Sequence, residues 1–217
     1  MIEDPATAKL PLITLDERHD LKTIRRPNNE AVIWNRVLPR GVEEWLARVK
    51  PEYLPTARYV LPTTQIEACL EALFDSSGMM PSPQRTWLIK DIEGLGKEIG
   101  AIFSASHVRL RVEAVTGDAC RRFHIDTVPA RMVCTYRGPG TEYGISDEGV
   151  DPLEIYHLPL GLPMLFKGLL WEGQHTKQLK HRSPPISGSG ITRFVVVMEP
   201  ASADPDELTP YDSIFDA

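Results

Sequence analysis

The chain lacks the features of a secreted, membrane-spanning or nucleic-acid-coating protein. Its start, MIEDPATAKL, has no basic segment followed by an apolar run, so no secretory signal is indicated. No stretch approaches the roughly 20 apolar residues needed to span a bilayer. The formal net charge of -6 gives no positive field that would attract phosphates. We therefore expect a cytoplasmic protein that binds neither nucleic acid nor a membrane.

Cysteine is scarce, with only Cys69, Cys120 and Cys134 in 217 residues. Their odd number and their spacing fit no disulfide framework and include no CxxC pair, which favours a reducing compartment. Cys120 and Cys134 lie on either side of His124, so a Cys/His zinc site that includes Cys120 and His124 is conceivable. However, four residues of extended strand would separate them by ~13 Å. Buried structural thiols are therefore the favoured interpretation.

Residues 1–106 are predicted to be mainly helical, after an irregular arm over 1–28 and a short strand at 31–34. Apolar spacing indicates a first helix from Gly41. A capping box over 64–67 is expected to begin the second helix. Ser82 and Pro83 suit the cap and first position of a third helix, although Gly94 and Gly96 inside it each cost about 1 kcal/mol relative to Ala.

From residue 107 the pattern changes to short β-rich runs separated by Gly and Pro. Strands are predicted at 107–115, 123–126, 131–136, 153–157, 164–166 and 193–198, with turns at 138–140 and 187–190. The acidic stretch 201–217 is expected to be a loose tail. These patterns predict an α+β protein of one compact unit, divided at 1–106, 107–200 and 201–217, with helices packed outside a β-barrel or sandwich.

His124-Ile-Asp126 is the first element of a candidate metal site. Residues i and i+2 of a strand point to one side, so this imidazole and carboxylate can hold the same ion. His-x-Asp alone is a common pattern, and a third ligand must come from elsewhere. His181, 57 positions after His124, is a good candidate. Two His and one carboxylate on one face of an octahedral ion are typical of non-haem Fe(II) oxygenases.

The order of these motifs resembles the double-stranded β-helix (jelly roll, cupin-like) of Fe(II)/2-oxoglutarate-dependent dioxygenases, especially the prolyl-hydroxylase-like branch. The resemblance covers roughly residues 107–199 and rests on strand, glycine turn and His-x-Asp, followed by a second His, a turn and an Arg that opens an apolar strand. The run FHIDTVPARMVCTYRGPGTEYG also resembles an uncharacterised bacterial domain family, which says little about substrate.

The resemblance implies a role for each matching residue. His124, Asp126 and His181 would hold Fe(II), and Arg193, twelve residues after His181, would bind the distal carboxylate of the cosubstrate 2-oxoglutarate. Tyr136 lies where the family often contacts the cosubstrate, although a core tyrosine is an equal alternative. Arg131 also matches a recurrent family position, or is an exposed strand residue. The implied reaction hydroxylates a substrate while 2-oxoglutarate is decarboxylated to succinate.

One departure leaves the substrate open. Many prolyl-hydroxylase-like enzymes have a Tyr just before the first glycine turn, where this chain has Val115 and Thr116. The substrate is therefore expected only to be a small molecule or a protein side chain, and the protein a monomer or homodimer. Two alternatives remain, namely a non-catalytic zinc or iron homeostasis protein with this fold and a cupin-type enzyme that does not use 2-oxoglutarate. Arg193 is the residue that distinguishes 2-oxoglutarate use from the cupin-type alternative.

Overall fold

A computed structural model describes residues 11–203, and within this range two β-sheets face each other. The larger sheet has seven strands in the order β1-β2-β8-β5-β10-β4-β3, and the smaller has the order β7-β6-β9. Except for the parallel pair β1 and β2, neighbouring strands are antiparallel. In chain order the strands are Leu12–Leu15, Ala31–Trp34, Ala57–Pro62, His107–Val115, Ala130–Arg137, Glu142–Ile145, Tyr156–His157, Met164–Lys167, Leu179–Arg182 and Arg193–Ala201.

Three α-helices cover the outer face of the larger sheet. They are α1 (Val42–Arg48), α2 (Ile66–Ser76) and α3 (Pro83–Phe103), and short 3-10 helices span Arg18–Arg25 and Pro51–Tyr53. The predicted start of α3 is confirmed, because the Ser82 side chain accepts a hydrogen bond from the Arg85 amide at 3.1 Å and Pro83 follows it. The apolar residues of α3 that recur every three or four positions are buried in the core, namely Leu88, Ile92, Leu95, Ile99 and Ile102.

Alternation along the central strands divides the apolar side chains between two cores. On β10, Phe194, Val196 and Met198 pack towards the helices, whereas Val195 and Val197 pack between the two sheets. A strand buried on both faces alternates in this way because successive side chains point to opposite sides. Arg193, Val195 and Val197 of β10 and Arg131, Val133 and Thr135 of β5 therefore face the space between the sheets, where the candidate site lies.

The N-terminal part contributes strands β1, β2 and β3 to the larger sheet, in addition to its helices. The strand predicted at 31–34 is confirmed as β2, but β1 and a 3-10 helix occupy much of the segment that was expected to be irregular. Because β2 pairs with β8 and β3 pairs with β4, residues on both sides of position 107 share one sheet. The capping box over 64–67 is wrong, since α2 begins at Ile66 with Gln65 as its N-cap and no side-chain cap bond.

Two further expectations from the sequence concern the acidic tail and membrane-spanning segments. The acidic tail, apart from residues 201–203, lies outside the described residues. Within residues 11–203 no helix has the length and hydropathy required to cross a membrane.

Candidate metal centre

The two histidines of the predicted triad are joined through their backbones. His124 does not lie on a strand as predicted, but forms an isolated antiparallel bridge with His181 of β9. Each amide donates to the other residue's carbonyl at 3.0 Å. Directly opposed residues of an antiparallel pair carry neighbouring side chains, so the bridge brings the two imidazoles to one place. Their ring centroids are 4.5 Å apart.

Asp126 completes the group. One ligand atom from each of His124, Asp126 and His181 lies within 4.8 Å of the other two. The Asp126 carboxylate oxygens are 3.4 Å from His124 Nε2 and 3.1 Å from His181 Nε2. Asp126 Oδ2 is the oxygen that lies 3.1 Å from His181 Nε2, and it is buried without forming a hydrogen bond among the described residues. A buried oxygen without a partner is costly unless an ion binds it, so the donor set fits a divalent metal.

Further contacts orient the ligands. His124 Nδ1 lies 2.8 Å from the Arg122 carbonyl, and donation there leaves Nε2 as the unprotonated nitrogen that faces Asp126. The second imidazole, His181, packs at 4.3 Å from the Phe166 ring. Such contacts hold each ring in the orientation that a metal ligand needs.

The ionised form of Asp126 and the neutral form of His181 suit metal binding. Burial acts to raise the pKa of Asp126, but the two histidines and Arg131 outweigh it and hold that pKa well below its usual value. Burial lowers the pKa of His181, which favours its neutral form. Burial also acts to lower the pKa of His124, but the Asp126 carboxylate and the Arg122 carbonyl bring it above its usual value. Asp126 is therefore ionised, as a metal ligand must be.

Arg131 lies in the pocket, but carboxylates already occupy its guanidinium. It donates to Asp126 and, through Nε at 2.8 Å, to Glu199. Glu199 is also paired with Arg109 Nη1 at 3.0 Å. The contacts of Arg131 therefore indicate that it positions the metal ligand Asp126. Its predicted contact with 2-oxoglutarate stays a prediction.

Arg193 lies at another part of the same pocket, whose lining also includes both histidines of the triad. Its guanidinium donates to the hydroxyls of Thr135 at 2.8 Å, Thr141 at 2.9 Å and Ser183 at 3.3 Å, and to the Pro139 carbonyl at 3.0 Å. Burial, followed by the charge of Arg111, lowers the pKa of Arg193 to about 10, so the group remains charged at neutral pH. Within residues 11–203 no carboxylate lies within salt-bridge distance of it.

Tyr136 is not at the site, and its predicted contact with 2-oxoglutarate is corrected. As an even-numbered residue of β5 it faces the helices, where its hydroxyl donates to Asp91 Oδ2 at 2.6 Å. Its ring packs edge-on against Trp87. The core alternative that the sequence left open is the one that the structure shows, because strand alternation turns Tyr136 away from the pocket.

The described residues do not bring the cysteines together as a zinc site. Cys134 is buried on the helical side of β5, whereas Cys120 lies on an exposed loop at the pocket. The triad is the only group of three or more His, Cys, Asp or Glu side chains in residues 11–203 with a metal-binding arrangement. Zinc at Cys120 and Cys134 is therefore excluded by their positions on opposite sides of the sheet.

Several pocket residues were missed from the sequence. Arg111 and Glu113 of β4, together with Thr141 and Ser183, line the same pocket as the triad. Alternation along β4 could have identified the first two, since Arg109, Arg111 and Glu113 must share a face. The sequence carries no comparable signal for the two hydroxyl residues, which lie in or beside irregular segments.

Comparison with solved structures shows the fold. Dioxygenase for auxin oxidation 1 of Arabidopsis thaliana, in a binary complex with 2-oxoglutarate, is 12% identical at a TM-score of 0.51, over 93% of this chain and 98% of that one. A dioxygenase for auxin oxidation in rice is 14% identical, with a TM-score of 0.48 over 91% and 87% of the two chains. A Pseudomonas putida prolyl-4-hydroxylase is 10% identical, with a TM-score of 0.45 over 87% and 100%.

The predicted fold class is confirmed, namely α+β with a double-stranded β-helix core and helices packed outside. No curated protein matches the chain in sequence. A family model described as "Protein of unknown function (DUF1826)" matches residues 16–199, which is most of the chain. This extent of match shows that the chain belongs to the DUF1826 family, an uncharacterised family as the sequence predicted.

Proposed function

We propose that this protein is an oxygenase that uses Fe(II) and 2-oxoglutarate and hydroxylates a substrate bound beside the metal. The observation that carries the proposal is the pairing of two features in one pocket. One is the His124, Asp126 and His181 group, with its unpartnered carboxylate oxygen. The other is Arg193, a buried guanidinium that has hydroxyl partners and no carboxylate among the described residues.

The chain's own residues would prepare this pocket. His124, Asp126 and His181 would hold Fe(II) on one face and leave its other positions free for ligands. Arg193, with the hydroxyls of Thr135 and Thr141, would hold the far carboxylate of 2-oxoglutarate through charge-assisted hydrogen bonds. When bound, the metal and cosubstrate supply oxygen activation coupled to decarboxylation of 2-oxoglutarate to succinate. Val195 and Val197 form an apolar wall of the pocket between Arg193 and the metal group. This wall would exclude water from that space.

The proposal is tested by anaerobic titration of the purified protein with Fe(II) and then with 2-oxoglutarate. We expect a visible charge-transfer band when both are bound. The band should be absent in His124→Ala and present in His157→Ala, which removes a surface histidine whose side chain is 66% exposed. Bound iron without a band would overturn the proposal in favour of a cupin-type enzyme. Tight zinc binding with no Fe(II) response would favour a metal-homeostasis protein.

Arg193→Ala separates cosubstrate binding from metal binding. Loss of a charge-assisted partner should weaken 2-oxoglutarate binding about 100-fold. Fe(II) affinity should stay within about threefold, because Arg193 has no contact with the triad. Arg193→Lys keeps the charge, so its 2-oxoglutarate affinity should lie between those of the wild-type protein and Arg193→Ala. This intermediate affinity would show that the loss in Arg193→Ala is not a folding defect. Arg40→Ala, an exposed arginine, is the control. Unchanged 2-oxoglutarate affinity in Arg193→Ala would contradict the assignment.

A further inference from the structure

Four arginines line the pocket of the triad, although the chain as a whole carries a net charge of -6. Two of them, Arg131 and Arg182, are neutralised by hydrogen-bonded carboxylates. Arg131 is bound to Asp126 and Glu199, and the Nε of Arg182 donates to Glu142 at 2.6 Å. The remaining two, Arg111 and Arg193, have no hydrogen bond to a carboxylate among the described residues. The pocket therefore holds positive charge that its own side chains do not compensate.

Of these two arginines, Arg111 has fewer of its N–H groups in hydrogen bonds. Its Nε is buried and forms no hydrogen bond among the described residues. The nearest carboxylate oxygen, Glu113 Oε1, lies 3.3 Å away in an ion pair without hydrogen-bond geometry. That same oxygen accepts a hydrogen bond from Arg58 Nη2 at 2.9 Å. One carboxylate thus serves two guanidiniums, and Arg58 has the better geometry, which leaves Arg111 without its full complement of acceptors.

The position of Arg111 differs from that of Arg193. Along β10, Arg193, Val195, Val197 and Glu199 follow one another on the pocket face. Glu199, at one end, reaches the metal group through Arg131, and Arg193 is at the other end. Arg111 is opposite Val197 on the neighbouring strand β4, and therefore beside the middle of this row. Its side chain is 26% exposed, so a molecule entering from solvent can reach it.

2-Oxoglutarate has one carboxylate distal to the metal, and under the proposed function Arg193 takes it. We infer that Arg111 binds a second anion, the carboxylate of the primary substrate, and that the substrate is a small organic acid oxidised at a C–H group near the metal. A guanidinium matches a carboxylate with two parallel hydrogen bonds. The inference rests on the proposed function and narrows its substrate from any small molecule or side chain to a carboxylic acid.

The test compares acids with their uncharged isosteres. The probes are acetate, hexanoate and benzoate, each paired with its primary amide. Binding is measured by calorimetry on the full-length, Fe(II)-loaded protein under anaerobic conditions, with and without saturating 2-oxoglutarate. We expect at least one acid to bind about tenfold or more tightly than its amide, since a charge-assisted bond is lost in the amide. No acid preference in any pair would overturn the inference.

Arg111→Gln and Arg58→Gln form a matched pair of variants. Both remove an arginine from Glu113, but Arg58 does not line the pocket. Arg111→Gln should lose the acid preference and keep 2-oxoglutarate affinity within about threefold, whereas Arg58→Gln should keep both. Arg111→Lys should restore part of the preference and shows that the site still folds. A preference that survives in Arg111→Gln would overturn the inference.

The 2-oxoglutarate titration of the same proteins separates the two proposals. If wild-type protein with Fe(II) fails to bind 2-oxoglutarate, the proposed function fails, while the acid preference measured without 2-oxoglutarate still decides the role of Arg111. If wild-type protein binds 2-oxoglutarate and Arg111→Gln weakens that binding tenfold or more, Arg111 belongs to the cosubstrate site and the substrate inference is overturned. Both readouts are binding constants and neither depends on turnover.

Discussion

At the scale of single residues, the metal site depends on side chains that do not touch the metal. Arg131 joins the ligand Asp126 to Glu199, which is itself bound by Arg109. These residues form a charge chain of alternating sign that runs from β4 across β10 and β5 to the triad, in the order Arg109, Glu199, Arg131 and Asp126. Such partners fix the orientation of a ligating carboxylate and tune its strength, and their loss typically costs 10- to 100-fold in metal affinity.

Glu199→Gln tests whether this charge chain positions the metal ligand Asp126. Without the Glu199 charge, Arg131 is balanced only by Asp126 and draws that carboxylate away from the metal. We expect Fe(II) or Co(II) affinity, measured by competition with a chelator, to fall about tenfold or more. Glu148→Gln, which changes an exposed carboxylate, should leave the affinity unchanged. Equal metal affinities in the two variants would show that Glu199 does not position Asp126.

Tyr136→Phe tests whether that side chain stabilises the helical core and has no contact with 2-oxoglutarate. The buried hydroxyl donates to the Asp91 carboxylate, and burial together with that charge raises the pKa of Tyr136, so the phenol is protonated at neutral pH. Removal of this charge-assisted bond should lower the free energy of unfolding by about 1.5–3 kcal/mol. Measured by urea unfolding, this loss should come with an unaltered 2-oxoglutarate dissociation constant. Weaker 2-oxoglutarate binding with no loss of stability would restore Tyr136 to the site.

One physical cause explains why the sequence placed Arg193 in the pocket but did not place Tyr136 on the helical side of β5. Arg193 opens a strand after a turn, and the family resemblance, with its place twelve residues after His181, implied a position in the pocket. Tyr136 lies inside β5, where both faces are buried. A strand with apolar cores on both sides has no polar face to set the direction of alternation, so the sequence alone does not say which core a given residue enters.

At the scale of elements, two glycines in α3 have different neighbours. A Cβ at Gly94 would meet Arg18 Nη1 at 2.4 Å, the end of a long side chain that is 44% exposed. A Cβ at Gly96 would meet Ile66 Cδ1 at 2.4 Å, and Ile66 is fully buried in the core. The first neighbour can move into solvent, and the second is held by close packing.

Gly94→Ala and Gly96→Ala should therefore change stability in opposite directions. Ala favours a helix by about 0.8–1 kcal/mol over Gly, and Gly94→Ala should gain most of this. Gly96→Ala should lose about 1–3 kcal/mol, because overpacking of the core outweighs the helical gain. Equilibrium denaturation in guanidinium chloride measures both. A stabilised Gly96→Ala would mean that Ile66 can shift without cost.

The sequence predicts long periodic elements, together with short strands that are continuous apolar runs such as β2 and β8. The 21 residues of α3 and the nine residues each of β4 and β10 repeat their periodicity often enough to be recognised. By contrast, β6 and β9 have four residues each, and neither was predicted as a strand. The strand expected at 123–126 is reduced to the single bridge at His124. Short strands owe their conformation to their partners, and pairing across the chain is not visible in local sequence.

At the scale of the whole molecule, the β-helix core shares its larger sheet with strands of the N-terminal part. Strand β2 covers the edge of β8, β3 covers the edge of β4, and α3 buries the helical face of β4 and β10. A fragment that begins at His107 would expose these edges and apolar faces to water.

We expect a fragment of residues 107–217 to show no cooperative thermal unfolding by circular dichroism and to bind Fe(II) at least tenfold more weakly than the full chain. The full chain should unfold in one transition, since both parts share a sheet. A fragment with a sharp transition and the affinity of the full chain would instead establish the predicted boundary at residue 107 as that of an independent domain.

The bridge between His124 and His181 also has an entropic consequence. It closes a segment of 57 positions, and bringing such ends together costs roughly 3–4 kcal/mol by the logarithmic scaling of loop closure. The pairing of β5 with β8 and of β6 with β9 brings the two segments together, and the two backbone hydrogen bonds of the bridge add to the interactions that offset this cost. We therefore expect an ion to find its donors already assembled, so that its binding energy is not spent on chain ordering. Metal exchange in this protein should accordingly proceed on a rigid backbone, with apo and metal-loaded forms giving the same amide-exchange protection at these two residues.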